Sequence, residues 1–109
     1  MPMKKSKRVY ISGPISGYDV AERKAVFSSA ATRFRRQGYE VVNPFELGVP
    51  DASPWSVHMR ADIAALMRCD IIYMLPGWYT SRGATIERNL AEMLGIKVMR
   101  ASEQMTCFE

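Results

Sequence analysis

The chain is poor in the residues that build several common kinds of functional site. It holds two cysteines, Cys69 and Cys107, and a single histidine, His58. The cysteines form no C-x-x-C pair and adjoin no histidine cluster, which argues against a structural zinc site or a disulfide framework and for reduced thiols in a cytoplasmic protein. No apolar run approaches the roughly 18 residues that a membrane-spanning helix needs. The basic start is followed by only Val9, Tyr10 and Ile11 before a Ser-Gly-Pro turn, so neither a signal peptide nor a membrane partner is expected. Neither glycine-rich loop matches G-x-G-x-x-G or G-x-x-x-x-G-K-[ST], which removes the standard dinucleotide and P-loop readings. Nothing repeats, and nothing in the pattern calls for a metal or a cofactor.

What is present is an ordinary globular composition, 48% hydrophobic over 109 residues, enough for one domain around one core. Much of the formal net charge of +4 comes from Lys4, Lys5, Lys7 and Arg8. Residues 1–7 therefore read as a solvated basic tail, and a nucleic-acid partner is not expected. A single domain is predicted over 8–100, followed by a C-terminal tail, 101–109, that is mobile or borrowed by a partner chain.

Within the domain, short apolar runs alternate with helical patterns. RVYIS (8–12), YEVVN (39–43), DIIYML (70–75) and IKVM (96–99) read as strands. Asp19 and Glu22 form a start signal for a helix whose apolar face is Val26, Phe27, Ala30, Ala31 and Phe34, stopped by Gly38. Ser53 and Pro54 read as the cap and first position of a second helix that turns Trp55, Met59, Ile63 and Leu66 inward. The third covers SRGATIERNLAEMLGI (81–96), with Gly95 as its stop. Met59, Met67, Met74, Met93 and Met99 read as core fillers. The order β-α-β-α-β-α-β predicts an α/β three-layer sandwich, flavodoxin-like or Rossmann-like, with a mostly parallel sheet of four to five strands.

The third helix contains an anomaly. At roughly 100° per residue, Ile86, Leu90, Ala91, Met93 and Leu94 gather on the core side, and Glu87 falls among them. Burying a carboxylate costs several kcal/mol, on the order of what a whole side chain gains by burial, unless something compensates it. Asp62 sits similarly at the edge of the apolar arc of the second helix. Both acids would face the carboxyl edge of the sheet, where open α/β folds bind ligands. Two loops meet there, SGPISG (12–17) and PGWYTSRG (76–83), and the second opens a helix N-terminus that attracts anions. Paired carboxylates in a partly apolar cleft suit glycosidic bond cleavage, one as nucleophile and one as proton donor. The plain alternatives are a Glu87 paired with a buried arginine and an Asp62 bonded to backbone N–H groups. His58, one turn before Asp62, stands within reach of the site rim but reads as solvated, and Asp70 reads as a cap of the preceding helix end or a partner of the first loop.

Y-x-S-G-P-I-S-G (10–17), M-R-A-D (59–62), C-D-I-I-Y-M-L-P-G-W (69–78) and S-R-G-A-T-I-E (81–87) with L-G (94–95) resemble, in order and spacing, the nucleoside 2-deoxyribosyltransferase superfamily, and in particular a small phage and bacterial group of undefined function. The resemblance spans roughly residues 8–100. It implies that Glu87 is the nucleophile that attacks C1′ of the sugar, that Asp62 contacts the sugar or assists departure of the base, and that Tyr10 orients the nucleophile. It implies that Gly13, Ile15, Ser16, Gly17, Ser81 and Gly83 line the sugar or its 5′-phosphate. The partner is then a small nucleoside or nucleotide, and the protein a homodimer or higher homo-oligomer.

Classical transferases of that superfamily carry an aspartate six residues before the nucleophile. Ser81 stands there instead, as in the related deoxynucleoside 5′-monophosphate N-glycosidases. With Arg82 and the helix N-terminus beside it, Ser81 points to a 5′-monophosphate. Only nine residues follow Arg100, where family members often complete a neighbour's site; Trp78, with Tyr79, is the expected base-stacking surface instead. Two other classes remain open: a catalytically silent nucleotide-binding module, and a single-stranded nucleic-acid binder using the basic tail with Trp78, Tyr79 and Tyr18. A phosphoribohydrolase motif, Pro-Gly-Gly-x-Gly-Thr-x-x-Glu, fits PGWYTSRGATIE poorly, since Gly83 to Glu87 is one residue too long.

Overall fold

The computed structural model describes residues 6–101. Four strands, β1 (Arg8–Ser12), β2 (Glu40–Val42), β3 (Ile71–Met74) and β4 (Lys97–Arg100), form one all-parallel sheet in the order β2-β1-β3-β4. Three helices, α1 (Val20–Arg36), α2 (Trp55–Leu66) and α3 (Arg82–Met93), connect them. The chain is thus an α/β domain compatible with a flavodoxin-like three-layer fold. No described helix is long and apolar enough to cross a membrane.

Strand alternation decides which helix packs where. Val9 and Ile11 of β1, with Ile71, Tyr73 and Leu75, face α1 and close over Phe27, Ala30 and Phe34. Tyr10, Ile72 and Met74 point to the other face and pack with Leu66 of α2 and Ala84 and Ala91 of α3. Both central strands are covered on both sides, which is why β3 is a continuous apolar run. Fully burying residues such as Phe27, Ile11 and Ile72 stabilises the fold by about 1.5–3 kcal/mol each. The connection through α1 places β2 on one side of β1, and the connection through α2 places β3 on the other. The strand order therefore reverses between β1 and β3, and a crevice opens at their carboxyl ends.

Several expectations need correction. Met93 and Leu94 are 75% and 59% exposed. The helical stripe remains intact through Ala91, but the last turn runs past the sheet and closes in a Schellman motif, with Ile96 N–H donating to Ala91 O at 2.8 Å. Met67, just after α2, is likewise exposed. Trp55 is 39% exposed, because it stands in the first turn of α2 at the rim of the crevice. Asp19 precedes α1 without a side-chain cap bond. Ser53 lies outside α2, whose first accepting carbonyl is that of Pro54. Asp70 neither caps a helix nor meets the first loop: its Oδ2 accepts from the Arg8 N–H at 2.9 Å, at the amino edge of the sheet. The tails expected over 1–7 and 101–109, and Cys107 with them, lie outside the described residues except for Ser6, Lys7 and Ala101. Ala101 N–H extends the β4 pairing by donating to Met74 O at 2.7 Å.

Candidate functional site

Glu87 is 4% exposed on the inner face of α3. No arginine meets it. The Ser12 hydroxyl donates to its Oε1 at 2.7 Å, and the Tyr10 hydroxyl donates to its Oε2 at 3.1 Å. Both donors come from β1 and sit two residues apart, so the pleat aims them at the same face of the sheet. Parallel pairing of β1 with β3, Ser12 opposite Met74, places them at the crevice.

Two neutral donors do not offset burial in full. Desolvation pushes the Glu87 carboxyl up to about 8; the Ser12 and Tyr10 hydrogen bonds pull the other way, and the negative charge of Asp62 adds to the rise. Desolvation also lifts Asp62 to about 6, moderated by His58 one turn earlier on α2. Burial, with Glu87 and Asp62 nearby, holds the Tyr10 hydroxyl well above its ordinary value, so at neutral pH it remains a donor. None of the hydrogen bonds or ion pairs among the described residues involves the Asp62 carboxyl, which leaves both its oxygens free for a ligand.

Glu87 and Asp62 line one cavity of about 320 Å³, within the size range of small-molecule sites. Tyr10 and the residues expected to bind substrate, Gly13, Ile15, Ser16, Gly17, Ser81 and Gly83, line it too. The structure thus brings β1, the first loop, α2 and the start of α3 together. Ser81 caps α3, its Oγ accepting from Ala84 N–H at 3.1 Å.

Two expected residues lie elsewhere. Trp78 does not line the cavity; the short turn Trp78–Thr80 folds its ring onto the cluster between the sheet and α3, with the Arg88 and Arg100 guanidinium groups 5.7 and 5.9 Å from the ring. Arg82 does not line it either. Its guanidinium stacks 4.4 Å from the Trp55 ring and borders a second recess of about 340 Å³, which shares Ser16, Tyr18, Trp55, Ser81 and Gly83 with the first. Besides Tyr10, the aromatic walls of the cavity include Tyr18, Phe27, Phe45 and Trp55.

Two of the glycines lining the cavity are required by packing. A Cβ on Gly13 would meet Leu75 Cβ at 2.8 Å, and one on Gly83 would meet Met59 Sδ at 3.0 Å. Bare backbone at these positions lets the first loop and α3 close on their neighbours.

Ser12 is the main residue that sequence reasoning missed, and alternation along β1 was the available signal: if Tyr10 reaches the acid, Ser12 shares its face. His58, read as solvated, is half-buried and lines the cavity. Cys69 is no nucleophile, since its thiol is buried, pushed up to about 11 by desolvation, and donates to Ala65 O at 3.4 Å. Among the described residues, no group of three or more His, Cys, Asp or Glu side chains is arranged to hold a metal ion.

The fold and the cavity define a parallel α/β domain with two carboxyl groups at the reversal point of its sheet. The chain belongs to the family described as Domain of unknown function (DUF4406), whose model matches residues 7–100. No curated protein matches it.

Proposed function

We propose that the protein is an N-glycosidase or 2-deoxyribosyltransferase that cleaves or exchanges the N-glycosidic bond of a nucleoside 5′-monophosphate or nucleoside, as the resemblance to the nucleoside 2-deoxyribosyltransferase superfamily implies. The observation that carries this reading is Glu87, buried without a cation, held by Ser12 and Tyr10 and facing a cavity it shares with the unpartnered Asp62. In the reaction, an ionised Glu87 oxygen forms a bond to C1′ as the bond from C1′ to the base nitrogen breaks. The electron pair of that bond leaves with the base, which takes a proton from Asp62. Water or a second base then attacks C1′ of the glycosyl ester, gives its proton back to the Asp62 carboxylate, and returns Glu87 to its carboxylate as the ester bond breaks. Tyr10 and Ser12 fix both oxygens of the nucleophile, so attack requires little reorganisation.

The second recess supports a phosphate at the 5′ position. Arg82, Ser81, Ser16 and Thr80 border it at the N-terminus of α3, whereas the main cavity has no lysine or arginine in its lining. Trp55 and Phe45 replace Trp78 as the proposed surface for the base. On this reading the protein works in the cytoplasm, and exposed Met93 and Leu94 offer an apolar patch for pairing between copies.

A second reading rests on a specific observation. Glu87 at about 8 keeps its proton at neutral pH, and a protonated acid hydrogen-bonds a sugar hydroxyl but does not attack C1′. That property favours a catalytically silent nucleotide-binding module. Incubation with a panel of deoxynucleosides and deoxynucleoside 5′-monophosphates, with and without a second base as acceptor, separates the two. Chromatography should show free or exchanged base with wild type and none with Glu87→Ala. Binding of a nucleotide without base release in any combination would select the binding module.

A further inference from the structure

Arg23, in the second turn of α1, is 7% exposed, although no carboxylate pairs with it among the described residues. Its Nε donates to Pro14 O at 2.7 Å. The guanidinium lies 5.3 Å from the Tyr18 ring and 5.7 Å from the Phe27 ring. Its Nη2 is buried without a hydrogen-bond partner among the described residues. All of these contacts but Phe27 go to one segment, the loop after β1, which supplies Gly13, Ile15, Ser16, Gly17 and Tyr18 to the cavity. Arg23 itself does not line the cavity. It stands behind the loop, between it and α1.

This is a poor way to stabilise a fold. A buried cation without a counter-charge loses hydration that a backbone carbonyl and two aromatic faces restore only in part, and an orphaned donor adds to the loss. Buried ionic groups are often replaced by apolar side chains of similar volume with no loss of stability. What the guanidinium gains over an apolar chain is a directed grip: one donor on Pro14 O and a planar face against Tyr18. The loop has little other internal order, its one backbone hydrogen bond being Tyr18 N–H to Ile15 O at 3.2 Å.

We propose that Arg23 is a positioning residue, a strut that holds the 14–18 loop in the conformation that completes the cavity, and that it does so without contributing to the stability of the domain. The occupant of that cavity rests on the reading above; the rigidity of the loop does not. The deciding comparison is wild type against Arg23→Met, by backbone ¹⁵N relaxation of residues 15–18, thermal midpoint, and calorimetric titration with a deoxynucleoside 5′-monophosphate. The order parameters of the loop should fall from about 0.85, typical of rigid backbone, toward about 0.6, while those of the strands stay high. The thermal midpoint should hold or rise, and affinity should weaken about tenfold or more. Arg23→Lys, which keeps the charge and a donor for Pro14 O but not the planar face, should fall between the two and serves alone if Arg23→Met does not fold. Unchanged loop order parameters, or a lowered midpoint with order lost throughout the domain, would overturn the proposal. A loosened loop in a protein whose wild type binds no nucleotide would uphold the strut and sink the nucleotide reading instead.

Discussion

The two edges of the sheet handle charge in opposite ways. At the amino edge, Arg8 meets Glu40 at 2.9 Å, both half in water, while its backbone N–H is taken by Asp70 and its Nη1 by Arg68 O. At the carboxyl edge, Glu87 is buried among apolar side chains with two hydroxyl donors, and Asp62 has no hydrogen-bond or ion-pair partner among the described residues. The acids are of the same kinds, Asp and Glu, yet each at the amino edge has a hydrogen-bonded partner, while among the described residues no lysine or arginine pairs with either acid at the other. An acid kept where its ionisation is penalised marks a candidate functional site.

The largest expected effect falls on the carboxyl edge. If the proposed reaction holds, replacing Glu87 by Ala should lower base release on the order of a thousandfold or more, read by chromatography, because the proposed attacking atom is gone. Of the two donors, Ser12 makes the shorter bond. Ser12→Ala should reduce kcat/KM by roughly tenfold to a hundredfold, the loss of one hydrogen bond to a charged group, and Tyr10→Phe by less. Both changes remove an interaction that favours the ionised acid, so the titration of Glu87 should move further above 8. Equal rates for Ser12→Ala and wild type would erase the distinction between the edges.

Acid and base should also be legible in pH profiles. The proposed reaction needs one proton on the pair, with Glu87 ionised and Asp62 protonated. kcat/KM should therefore rise through about 6 and fall above about 8, these being values of the coupled pair. Stability carries the same signature. A carboxyl raised in the folded state stabilises fully below its ordinary value of 4.5, and this contribution is lost as pH rises through about 8. The thermal midpoint of wild type should fall between pH 5 and pH 8, and Glu87→Gln should flatten that slope. The smallest effect belongs to the amino edge. Glu40→Gln should leave both the thermal midpoint and base release within experimental scatter, as exposed ion pairs generally do.

How much of this was legible in the sequence differs from one residue to the next. RVYIS marks β1 to the residue, and the alternation of short apolar runs with helical stripes fixes the layer order. Glu87 stood out because a charge inside a hydrophobic stripe has no cheap solution other than function or pairing. Met93 and Leu94 misled because periodicity says which side a residue faces and not where the neighbouring layer ends. Trp78 misled because a ring beside Pro-Gly can turn either way, and the short helical turn that follows rotates it toward Arg88 and Arg100. Ser12 was hidden by its place at a strand–loop boundary, where it read as turn chemistry. Arg23 offered no signal, since an arginine on an amphipathic helix is ordinarily solvated.

The most direct test of the contrast between the edges is a ¹³C NMR titration of the side-chain carboxyls in the empty protein. Glu87 should titrate near 8, and Ser12→Ala should raise its midpoint further. A Glu87 midpoint near the ordinary 4.5 would contradict the account, because burial would then be fully compensated and nothing in its setting would mark it out for chemistry.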